Sequence, residues 1–61
     1  MTDKINRQIL SLYLTRIAQA SRKAVIDMEL DNWVSLIAHL DIIEENAQKA
    51  FAEIAAARDA A

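Results

Sequence analysis

The sequence predicts an all-α protein: an antiparallel two-helix hairpin whose copies pair as a homodimeric four-helix bundle. Three observations predict it. The 61 residues include no Gly, Pro or Cys. Apolar residues recur in two long heptad-spaced rows. A short acidic, turn-forming stretch separates those rows. Tight hairpin turns, bulges and phosphate-cradling loops rest on Gly and Pro, so a multi-strand fold and a glycine-rich nucleotide loop are excluded together.

The first helix is expected over about residues 3–28, with Asp3 as a candidate cap. Its row is Leu10, Leu14, Ile17, Ser21, Ala24 and Met28, a 4,3,4,3,4 spacing with one polar break. A turn is expected at about 29–31, where Asp31 is positioned to accept a hydrogen bond from an orphan amide of the next helix. The second helix is expected over about 32–58. Its row runs Trp33, Leu36, Leu40, Ile43, Ala47, Ala50, Ile54, Ala57 and Ala61 without interruption.

One continuous helix of about 90 Å at 1.5 Å per residue is the rival. The sizes of the row residues favour folding at Leu30/Asp31. Leu14 then faces Ala47, Leu10 faces Ala50, Ala24 faces Leu36, Ile17 faces Ile43, and Met28 meets Trp33. Large against small is the pattern that interdigitating layers need. The expected hairpin core is therefore Leu10, Leu14, Ile17, Ala24, Met28, Trp33, Leu36, Leu40, Ile43, Ala47, Ala50 and Ile54. The last fifteen residues hold eight alanines, strong helix formers.

Charge is divided between the halves. Lys4, Arg7, Arg16, Arg22 and Lys23 against Asp3 give residues 1–26 a net +4. Asp27, Glu29, Asp31, Asp41, Glu44, Glu45, Glu53 and Asp59 against Lys49 and Arg58 give residues 27–61 a net −6. A basic helix lying along an acidic one gains a few tenths of a kcal/mol per exposed pair.

Nothing in the pattern points to catalysis. The single histidine, His39, has Ser35, Leu36, Ile42 and Ile43 at helical spacing, so the Glu-x-x-His arrangement of di-metal bundles is absent. Asp41, Glu44 and Glu45 read as a solvated carboxylate face, because paired carboxylates do acid–base work only where burial separates them. Ser11, Thr15 and Ser21 have no base at helical spacing, and Ser35 has His39 four residues on without any further feature of a nucleophilic site. The expectation is a protein that is not an enzyme and carries no metal or other cofactor, and that takes no small-molecule substrate.

The longest apolar run is four residues, Ile54 to Ala57, against about 20 needed to span a bilayer. The first seven residues lack the apolar core of a signal peptide. A cytoplasmic location and no membrane partner are expected.

The first helix carries a second apolar row, Ile5, Ile9 and Leu12, ending at Arg16, with Tyr13 bridging the two rows. A helix apolar around most of its circumference is buried on more than one side. A hairpin alone leaves one side in water, so a second copy or another protein is expected on Ile5, Ile9, Leu12, Tyr13 and Arg16. A small regulatory or inhibitory protein that occludes a transcription regulator or a nuclease fits this pattern.

Nucleic-acid binding by a dimeric hairpin is the alternative, with Lys4, Arg7, Arg16, Arg22 and Lys23 on phosphates. In size and layout the chain is similar to the plasmid repressor-of-primer type of bundle, which binds paired RNA loops; the likeness is architectural. A secretion chaperone or assembly subunit is a third reading. Leu30-Asp31-Asn32-Trp33 followed by Leu36-Ile37, about eight residues, resembles the hairpin corner of flagellar export chaperones.

Overall fold

The structure, a computed structural model, describes residues 5–60. It consists of two helices, α1 (Arg7–Glu29) and α2 (Trp33–Ala60), packed against each other as an antiparallel hairpin. The described part is 49 Å long, 15 Å wide and 10 Å deep.

Each helix starts on an asparagine. Asn6 sits in extended backbone, and its side-chain oxygen accepts from the Ile9 amide at 3.1 Å. Asn32 does the same for α2, accepting from the Ser35 amide at 3.2 Å. A short side-chain acceptor at this position satisfies one of the amides that have no partner in the first turn. The expected cap at Asp3 lies outside the described residues.

Asp31 has a different role from the one expected of it. Its φ is 55°, in the left-handed region that suits glycine and that aspartate tolerates better than most residues. There it closes α1. Its amide donates to the Met28 carbonyl at 3.1 Å, and the Asn32 amide donates to the Asp27 carbonyl at 2.8 Å. These two bonds make the Schellman arrangement. With Leu30 as the final cap of α1, three residues join the helices, and the turn falls one residue later than the spacing predicts.

The two helices meet along alanines and polar groups. Ala20, Ala24 and Ala50 are buried, together with Asp27 and Asn46. With the half-buried residues they form rows at 3,4 spacing: Leu10, Tyr13, Ile17, Ala20, Ala24 and Asp27 on α1, and Leu36, His39, Ile43, Asn46, Ala50 and Glu53 on α2. Of the expected core, Ala24 and Ala50 are buried, while Leu10, Ile17, Leu36, Ile43, Ala47 and Ile54 are half-buried. Leu14, Met28, Trp33 and Leu40 are about half exposed.

The physical reason is width. A two-helix contact is one narrow strip, and the backbones approach most closely where side chains are small. Tyr13, Ala20 and Asp27 occupy the strip where Leu14, Ser21 and Met28 were expected. Displaced by one residue, roughly 100° of helix rotation, the bulky side chains stand beside the strip instead.

Candidate functional site

The hairpin strip itself carries the most buried chemistry. Asp27 is 8% exposed, and its carboxylate oxygen lies 2.6 Å from His39 Nδ1. The tautomer with its hydrogen on Nδ1 is the one that donates to a carboxylate oxygen. The pair ties the end of α1 to the second turn of α2.

One step further from the turn, Asn46 is 6% exposed. Its amide nitrogen donates to the Ile42 carbonyl at 2.8 Å, and its Oδ1 has no partner. At the far end, the Asn6 amide donates to Glu53 Oε2 at 3.3 Å. A polar contact thus falls at intervals along the strip.

Sequence spacing missed the Asp27–His39 pair because partners for His39 were sought on its own helix. The available signal was the alternative heptad phase, 13/20/27 on one helix and 39/46/53 on the other, which places a carboxylate near the histidine once the chain folds at Asp31.

An aspartate holding a histidine is half of a nucleophile-activating arrangement. The other half would be a hydroxyl or thiol beside the imidazole. His39 borders a depression of about 150 Å³ lined by Arg16, Gln19, Ala20, Lys23 and Ile42, which include no hydroxyl or thiol. No group of three or more His, Asp or Glu side chains among the described residues is arranged to hold a metal ion. Of the outer carboxylates, Glu45 pairs with Lys49 at 3.1 Å one helical turn on.

On either side of the strip lies a groove. The first is apolar, a cavity of about 240 Å³ lined by Leu10, Leu14, Ile17, Ala47, Ala50, Phe51 and Ile54. Several of the residues expected in the hairpin core thus meet here in an open channel. Helical phase puts Met28, Trp33 and Leu40 on the same side, nearer the turn.

The second groove, on the opposite side, contains the His39 depression. On α1 the row Ile5, Ile9, Leu12, Arg16, Gln19 and Lys23 shares one helical face. Ile9, Leu12 and Arg16 are exposed there, Ile5 is half-buried, and Ile42 of α2 is also exposed. Tyr13 is half-buried in the hairpin strip. The structure therefore separates the two rows of the first helix onto opposite sides of the hairpin.

Three of the basic residues of α1 keep their charge for the surface. Arg16, Arg22 and Lys23 are exposed and form no ion pair among the described residues. No described helix is long and apolar enough to cross a membrane. No family model matches the chain, and no curated protein or solved structure matches it either.

Proposed function

We propose that this chain is a small non-enzymatic regulatory protein that acts by binding another protein through a helix face, as an inhibitor occluding its partner's working surface. The face is the second groove: Ile9, Leu12 and Ile42 as apolar anchors, continuing into Arg16, Lys23 and the His39 depression. The observation that carries the reading is that exposed Ile9 and Leu12 share a row with unpaired Arg16 and Lys23, with exposed Ile42 of α2 beside those cations. Such a surface suits an amphipathic partner helix with apolar residues at one end and carboxylates at the other. The regulator works as a homodimer, a four-helix bundle that leaves this groove on its outside, in the cytoplasm.

The test is Ile9→Asp. A partner captured by the unaltered chain is lost by this variant, while helix content by circular dichroism and solution mass stay as they were. Collapse of helicity and mass together would make the stripe structural and end the proposal.

Nucleic acid as the partner is favoured by one observation, the exposed and unpaired Arg16, Arg22 and Lys23. Three phosphate contacts give a slope of roughly −3 in log K against log salt on duplex DNA. A flat response to duplex or stem-loop at low salt discards it.

A further inference from the structure

We infer that the apolar groove over Ala47 and Ala50 is the contact face between two copies of this chain, and that the copies lie head to tail, their turns at opposite ends of the bundle. The inference rests on the dimeric reading above and adds the face and the direction.

The single hairpin has no core of its own. Among the described residues the buried apolar ones are three alanines, Ala20, Ala24 and Ala50. Leu10, Tyr13, Ile17, Leu36 and Ile43 are only half-buried along the strip, and Leu14, Met28, Trp33, Leu40 and Phe51 are exposed. Leu10, Leu14, Ile17, Ala47, Phe51 and Ile54 around the cavity carry no charge, and nor do Ser21, Met28, Trp33 and Leu40, which continue the same side toward the turn. A face 49 Å long and 15 Å wide offers roughly 700 Å², close to the roughly 800 Å² a side of a standard stable interface.

The relief of that face selects a second copy and its direction. Away from the turn the face is hollow, because Ala47 and Ala50 floor a cavity of about 240 Å³. Leu14 and Phe51, both exposed, rim that cavity, while toward the turn Met28, Trp33 and Leu40 each stand about half exposed, and their larger side chains stand in place of the two alanines. Leu40 lies about as far from the middle of α2 (Trp33–Ala60) on the turn side as Phe51 and Ile54 lie on the other.

With turns at the same end, hollow faces hollow and Trp33 faces Trp33 of the other copy. The voids then lose dispersion contacts on both linings, and the aromatics hold the helices apart. Turned head to tail about a twofold axis, each copy brings Leu40 over the other's cavity. The raised half fills the hollow half twice, once on each side of the axis. A twofold contact demands this self-complementarity.

The chain has no cysteine, so Leu30→Cys at the exposed turn places one label per copy. Solution mass comes first, and a value twice the 6.8 kDa of the chain is expected. Pulsed electron–electron resonance on the labelled dimer then reads the direction. Head-to-tail copies separate the two labels by about 35 Å or more, the length of a helix the size of α1. Copies with turns at one end hold them within about 20 Å, two interhelix spacings.

Leu40→Glu and Phe51→Glu, each at a position already exposed in the single hairpin, are expected to halve the mass with helix content kept. Leu12→Glu, on the opposite groove, is expected to leave the mass unchanged. A monomer in the unaltered chain overturns the pairing and this inference with it. A dimer with close labels overturns the direction alone. A dimer indifferent to both L40E and F51E overturns the face.

Discussion

His39 Nδ1 lies 2.6 Å from Asp27 Oδ2, a bond between helices at the end of the hairpin nearest the turn. Both residues are largely withdrawn from water, so each is the other's substitute for solvent. Losing either leaves a buried polar group unmatched, which costs about 1–3 kcal/mol. Asp27→Ala and His39→Ala are each expected to destabilise the fold by that amount. The double variant costs clearly less than the two losses added. Urea unfolding of the four proteins checks it, and strict additivity would mean that the bond contributes nothing to stability.

Asn46 presents the opposite case. Its Oδ1 is buried without a partner, and its amide nitrogen bonds only to its own helix, at Ile42. A buried polar residue at an interior heptad position trades stability for a defined register. Asn46→Leu is expected to raise stability by about 1 kcal/mol, from removal of the unmatched acceptor. Its cost should appear as broadened amide spectra or mixed assemblies. A lower unfolding midpoint would show that Oδ1 has a partner in solution.

The turn offers a backbone test. Asp31 holds φ at 55°, where glycine sits without a Cβ clash. Asp31→Gly is expected to stabilise by a few tenths to about 1 kcal/mol, and Asp31→Val to destabilise by more than that, because branching at Cβ is poorly tolerated there. Asn32→Ala removes the α2 cap and is expected to cost about 1 kcal/mol. Thermal midpoints at one protein concentration rank the three. If Asp31→Val matches the unaltered protein, the left-handed turn does not persist in solution.

Much of the architecture was legible in the residues themselves. The uninterrupted row from Trp33 places α2, and Leu10, Ile17, Ala24, Leu36, Ile43 and Ala50 belong to both the expected and the observed strips. What escaped was the other member of each heptad pair. Equating large apolar residues with the hairpin core selects Leu14, Met28 and Leu40 over their neighbours Tyr13, Asp27 and His39. That equation holds where several helices surround a core, and it weakens in a single helix pair, whose narrow contact favours alanine and tolerates bonded polar groups. The cap escaped for a simpler reason. Asp31 and Asn32 are adjacent and chemically alike, and only the backbone decides that one closes a helix while the other opens the next.

The three-residue turn also governs the order in which the molecule assembles. Contacts beside Leu30 and Asn32 join residues only a few positions apart, and each pair further out closes a slightly longer loop. The added closure entropy grows only logarithmically, so pairing runs outward from the turn as a zipper does, in the fast regime typical of local topologies. Asp27 and His39 engage early in that sequence, and the Asn6–Glu53 clasp comes last. The same clasp is the first to let go, so amide exchange in the native state should quicken from the turn toward the open end.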